Sequence, residues 1–283
     1  MKFAIFALPL VCGLPARYPD AVISQRAEAG LCAASILDAS SMPLHWEYSQ
    51  SVIQSKVGVG GDPAFYSPPL NLWYKGTEGG STPYGQQALA YLLVGGQSGP
   101  PFLPSAVEAA YWDLYRPGVC PGPNGGWYLD ASTKEFVANV GAGKHYPHCG
   151  GDDTQADAAV HAVYVTALLG GNTSLLLDTL EPVIRVTQDT SGAAAFGSAA
   201  ARLFEKVLVY NYSSVLSAVV DVITELRDGG RYHPYDEDAS LADFLETVVT
   251  AASATPPPPA APSYFLRDRC VCAPPPLCSP TGI

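Results

Sequence analysis

The chain has 283 residues, 48% of them hydrophobic and 14% charged, a balance that excludes a disordered polypeptide and leaves material for a sizeable core. Fifteen Lys and Arg stand against 26 Asp and Glu, for a net charge of −11. The basic residues are scattered singly, which excludes a phosphate-contacting surface for nucleic acid.

Residues 1–24 read as a leader. Lys2 precedes an apolar run from Phe3 to Leu14, which suits a short secretory h-region and suits equally a buried first segment, so secreted and cytoplasmic locations both stay open. No later run is apolar for long enough to span a bilayer. A helical domain is expected over 25–254. Its first helix covers 25–40, with Leu31, Ala34, Ile36 and Leu37 near one face, and Pro43 ends it. From 58 to 83 Gly, Pro, Ser, Thr and aromatic residues crowd together, the composition of a long loop packed by its own side chains.

Helical patterns resume at 86–93, 105–115, 133–140, 154–169, 173–186, 192–209, 213–227 and 241–252. The helix from 192 has the cleanest period. Phe196, Ala200, Leu203, Phe204, Val207 and Leu208 form a stripe that predicts its core face, and Arg202, Glu205 and Lys206 predict a solvated one. Alternating strand patterns are nearly missing, so the expected fold class is all-α, a multi-helix bundle with a long aromatic-rich loop. Residues 255–283 carry two proline runs and read as an extended, unpacked tail. The seven cysteines match no zinc framework.

Six segments in order carry a resemblance. They are Leu37 to Trp46 (LDASSMPLHW), Phe65 to Pro69, Thr82 to Gln87 (TPYGQQ), Ser132 to Phe136, Gly151 to Gln155 (GDDTQ), and Arg185 to Gln188, the last continuing into Ala195 to Arg202. Together they resemble the ADP-ribosylglycohydrolase superfamily, and within it the J-crystallin branch. The resemblance implies an α-helical domain that in its hydrolase members holds a pair of magnesium ions beside the N-glycosidic bond of an ADP-ribose adduct. Hard cations ask for carboxylate, hydroxyl and water oxygens, and a bound ion can activate a water for attack at the anomeric carbon. The hydrolases take their ligands from a Thr-Asp-Asp-Thr-like segment and a later Gly-Gly-Asp-x-Asp-Thr-like one. The first falls here on Thr82 to Gln87, where Tyr84 and Gly85 replace both acids, and the second has no counterpart.

The acids that remain in those segments are Asp38, Asp152 and Asp153, which the resemblance nominates as catalytic, with Asp152, Asp153 and Thr154 as ligands to Mg2+. Acids at a helix start also cap it and oppose its dipole, worth about 0.5–2 kcal/mol without any site. His45, Trp46, Tyr66, Tyr84 and Gln155 are the candidate substrate contacts, through stacking and hydrogen bonds, and Trp73 and Tyr74 make the long loop more aromatic still. Packing of a turn or loop accounts for the same residues. His145, His148 and Cys149 cluster near Asp152, but Pro147 between the histidines spoils a helical metal-binding pair. Two functions follow. One is hydrolysis of a glycosidic bond to ADP-ribose with magnesium. The other is a non-catalytic J-crystallin-like role, structural or ligand-binding, with ADP-ribose or a related nucleotide-sugar as the partner.

Overall fold

A computed structural model of the chain describes residues 15–58, 61, 63–70, 79–99, 102–118, 129–155, 157–230 and 233–254. Among them are ten α-helices and no strand, only two isolated bridges, so the protein is all-α. The helices are α1 (Asp20–Ser41), α2 (Gln50–Val57), α3 (Pro83–Ser98), α4 (Pro104–Tyr115), α5 (Ala131–Gly141), α6 (Asp157–Leu169), α7 (Thr173–Ile184), α8 (Ser191–Val209), α9 (Val215–Arg227) and α10 (Asp238–Ala254). A 3-10 turn, Met42–Leu44, follows α1 and buries Met42 and Pro43. The leader to residue 14, Trp73, Tyr74 and the proline-rich tail lie outside the described residues.

Local chemistry starts most of these helices. Ser49, Thr82, Asp130, Asn172, Thr190 and Ser214 each accept a backbone N–H of the first turn, at α2, α3, α5, α7, α8 and α9. Such a cap satisfies a donor that the helix itself cannot. Helix α2 is absent from the periodicity reading because none of its residues is buried, so it carries no apolar stripe to find. Helix α1 starts earlier than 25 and turns a different face inward. Ile23, Ala27 and Cys32 are buried, whereas Ile36 and Leu37 are exposed.

Helix α8 is the axis of the packing, touching α6, α7, α9 and α1. Its inward surface is made of small residues, with Ala193, Ala194, Ala195, Gly197 and Ala201 buried. Gly197 has no room for a Cβ, which would run into Ile184 and lie 3.1 Å from the Ala158 carbonyl. Close approach from several sides therefore shifts the buried face away from the expected stripe: Leu208 is buried as expected, but Phe196 is 36% exposed, and Arg202, Glu205 and Lys206 are 9%, 1% and 1% exposed. Periodicity treats a charge as a mark of solvent, and here the solvent is replaced by opposite charges from the neighbouring helix.

Those charges form one closed network. Arg202 donates through Nε (3.1 Å) and Nη2 (2.9 Å) to the two carboxylate oxygens of Glu225 on α9, and it also bonds Glu205. Lys206 Nζ lies 2.7 Å from Glu225 Oε1. Glu205 accepts in addition from Gly171 N (2.9 Å) and from Thr173 Oγ1 (3.0 Å) at the start of α7. Burial pushes the Glu225 carboxyl up, but Arg202 and Lys206 outweigh it and hold the group below its ordinary range. Arg26 of α1 closes the other end of α8, donating to the carbonyls of Val207 (2.8 Å) and Leu208 (3.2 Å), where a cation also opposes the helix dipole.

Removing one member of such a network strands the others without water. Arg202→Ala is expected to cost about 3–5 kcal/mol in urea unfolding at pH 7. Phe196→Ala, at the half-exposed position of the expected stripe, should cost less; the reverse order would mean that the charges do not carry α8.

Candidate functional site

The C-terminal end of α1, the start of α3 and the loop before α6 meet at one place. Asp38, in the last turn of α1, accepts from Thr82 N (2.9 Å) and Thr82 Oγ1 (2.5 Å). Thr82 in turn accepts from Gly85 N (3.1 Å), so the acid clamps the residue that caps α3. Gly85 must be glycine here, because a Cβ would collide with the Asp38 carboxylate. Burial pushes the Asp38 carboxyl up, against the pull of the Thr82 hydrogen bonds. One turn on, Tyr84 Oη donates to Gln155 Oε1 (2.7 Å). Its ring stands edge-on to His45 and Trp46, at centroid distances of 5.2 and 6.3 Å. Burial pushes the Tyr84 hydroxyl up to about 12 and the His45 imidazole down, so both are neutral at pH 7.

Trp46 is held at φ 66°, a left-handed backbone that costs a bulky residue about 1–2 kcal/mol and that persists only where the surroundings impose it. It lines a cleft of about 390 Å³ together with Gln155 and, on the opposite wall, the first turn of α5: Asp130, Ala131, Lys134 and Glu135. The cleft is thus lined by one indole, two carboxylates, an ammonium and an amide.

Beneath it lies a buried polar network. Asp130, the cap of α5, accepts from Thr133 N (2.8 Å), from Ser132 Oγ (2.9 Å) and from the amide of Gln87 on α3. Ser132 Oγ is also 2.6 Å from Asp157 Oδ2 on α6, and Gln188 Nε2 is 3.3 Å from Asp157 Oδ1. The other end of Gln87, Oε1, takes His161 Nε2 (2.6 Å) and Tyr111 Oη (3.2 Å). That assigns the Nε2–H tautomer to His161, whose fully buried ring is pushed down to about 3 and stays neutral.

The nominated residues divide. His45, Trp46, Tyr84 and Gln155 come together, Trp46 and Gln155 lining the cleft and His45 and Tyr84 packing against them. Tyr66 does not line it; its hydroxyl donates to the Lys56 carbonyl of α2 (3.2 Å). Asp152 is exposed, with its backbone N–H on Glu135 Oε2 (2.9 Å), and Thr154 is exposed as well. Asp153 binds Gln155 N through Oδ1 (3.1 Å), and its Oδ2 is buried with no partner among the described residues. His145 is tied to Glu108 (2.5 Å).

Among the described residues no group of three or more His, Cys, Asp or Glu is arranged to hold a metal ion. The donor chemistry gives the reason. Both oxygens of Asp38 and Asp130 already accept from protein N–H or O–H groups and those of Asp157 face Ser132 and Gln188, whereas Asp153 Oδ2 has no partner among the described residues and Asp152 is exposed. A pair of magnesium ions needs several free oxygens aimed at one point, and the carboxylates of Asp38, Asp130 and Asp157 do not offer them.

Asp130, Asp157, Gln87, His161 and Tyr111 are absent from the sequence candidates, although Gln87 belongs to a segment singled out there. One signal was available: Asp157 and His161 stand four residues apart on a helix that is otherwise apolar, a spacing that puts two polar groups on one buried face. No protein-family model matches the chain, and no curated protein matches it.

The amide of Gln87 cannot be replaced by an apolar group without stranding partners at both of its ends. Gln87→Leu is expected to lose about 1–3 kcal/mol of stability. Gly85→Ala should lower the melting temperature by displacing the Asp38 carboxylate, and thermal unfolding followed by circular dichroism reads both changes.

Proposed function

We propose that this chain is a ligand-binding protein of the ADP-ribosylglycohydrolase type, of the J-crystallin-like branch, whose cleft takes ADP-ribose or a related nucleotide-sugar without hydrolysing it. The observation that carries the reading is the amide of Gln87. It lies in the Thr82 to Gln87 segment, which stands where the hydrolases have their first metal motif, and it donates to Asp130 with Asp157 Oδ2 at 3.5 Å. A side-chain amide thus occupies the space between carboxylates that a cation would bridge. The cleft itself keeps what a nucleotide-sugar asks for: Trp46 as a stacking plane, Asp130 and Gln155 for hydroxyls, and the Lys134 ammonium for a phosphate.

The hydrolase reading draws on one oxygen, Asp153 Oδ2, which is buried with no partner among the described residues and would suit a cation or a donor group of the substrate. One carboxylate oxygen is a weak basis for a two-metal reaction.

Calorimetric titration of ADP-ribose, with and without magnesium, separates the two, alongside a hydrolysis assay on ADP-ribosylated arginine and serine substrates. Binding heat that magnesium does not change, with no release of ADP-ribose, is the expected result. Trp46→Ala should weaken binding about tenfold, by loss of about 1.4 kcal/mol of stacking. Turnover that magnesium switches on would reinstate the hydrolase, and absence of any binding heat would sink the nucleotide-sugar assignment.

A further inference from the structure

Ser132 Oγ lies 2.9 Å from Asp130 Oδ1 and 2.6 Å from Asp157 Oδ2, and a hydroxyl has one hydrogen. Directed at Asp157, that hydrogen leaves Ser132 Oγ and Asp130 Oδ1 in contact as two bare acceptors; directed at Asp130, it leaves the shorter contact bare. A second hydrogen is therefore needed along the line of three oxygens. The surrounding donors do not supply it, because Thr133 N–H points to Asp130 Oδ1 itself, the Gln188 amide to Asp157 Oδ1, and the Gln87 amide to Asp130 Oδ2 with only a long contact, 3.5 Å, to Asp157 Oδ2. What remains is a carboxyl proton.

We propose that Asp130 and Asp157 hold a single proton between them through Ser132, as a carboxyl pair with a buried end at Asp157 and an open end at Asp130 on the cleft. The groups facing the pair favour this. Asp153 from the preceding loop adds a further negative charge, α3 contributes the neutral hydroxyls of Tyr84 and Tyr91, α4 that of Tyr111, the His161 imidazole on α6 is neutral, and Lys134 and Glu135 of α5, which line the cleft with Asp130, are opposite in sign. Burial pushes Asp157 up to about 6, with the Ser132 hydrogen bond opposing and the Asp130 charge adding to it. The floor of the cleft thus gains one negative charge as pH rises through about 6. A hydroxyl-bearing ligand meets Asp130 backed by a shared proton below that pH and by a bare carboxylate pair above it.

The pair exists whatever the cleft binds, so its test uses no ligand. Full-length protein with carboxyl-labelled aspartate is titrated by NMR between pH 3 and 8, as wild type, Asp157→Asn and Ser132→Ala. The Asp157 resonance should show a midpoint near pH 6 in the wild type. Asp157→Asn should abolish that midpoint, and Ser132→Ala, which removes the bridging hydroxyl, should displace it. The stability linkage has a definite sign: the folded chain binds the extra proton between the unfolded value near 3.8 and about 6, so this contribution is complete below the first and lost as pH rises through the second. The melting temperature should accordingly fall more between pH 5 and 8 in the wild type than in Asp157→Asn. A folded wild type in which every aspartate titrates below about pH 4.5 overturns the proposal, and that spectrum decides even if a variant fails to fold.

Discussion

A buried side-chain amide has two unlike ends, and neither can be left unpaired away from water without a cost of about 1–3 kcal/mol. Gln87, on α3, meets that constraint with three other helices at once. Its N–H groups face the cap of α5 and the first turn of α6, and its carbonyl takes a hydroxyl from α4 and an imidazole from α6. The identity of the residues around it follows from this. Asp130 must be an acceptor and Tyr111 a donor, and His161 must carry its hydrogen on Nε2. The cleft rests on this arrangement, since the wall that carries Lys134 and Glu135 is the helix that Asp130 starts.

A second polar network lies across α8, and the two work differently. Around Gln87, dipoles are matched to carboxylates and charge is reduced by a shared proton. Between α8 and α9, Arg202 and Lys206 are matched to Glu205 and Glu225 as whole charges. The second satisfies its charges by pairing them, whereas the first leaves His161 Nδ1 and Gln188 Oε1 without a partner among the described residues, and only the first opens on a cleft. An ion-pair network of this closure serves the packing of helices; a carboxyl pair at a cleft can change its state when something binds.

Much of the helical order was legible, because caps and apolar periods are local. The positions of α4, α6, α7, α8 and α9 follow from them to within a few residues. Which face is buried was less legible. Leu37 is 66% exposed although it belongs to the apolar face of α1, and Lys206 is 1% exposed although it is charged. In each case the deciding factor is a partner helix distant in sequence. At the cleft, His45, Trp46, Tyr84 and Gln155 could be picked out as aromatic or amide residues in distinctive segments. The carboxylates beneath them could not, because Asp130 and Asp157 become a pair only through Ser132 and Gln87.

By itself, then, the sequence determined the class of the fold, the starts of most helices and the short list of aromatic and amide residues that could face a ligand. These depend on interactions spanning one or two helical turns, and such interactions are written in spacing. The tertiary structure decided which acids share an environment. Asp38 became a clamp on α3, Asp152 a surface residue, and Asp130 with Asp157 the acidic floor of a cleft, since the energy of a buried carboxylate is set by the donors and charges that other helices bring to it.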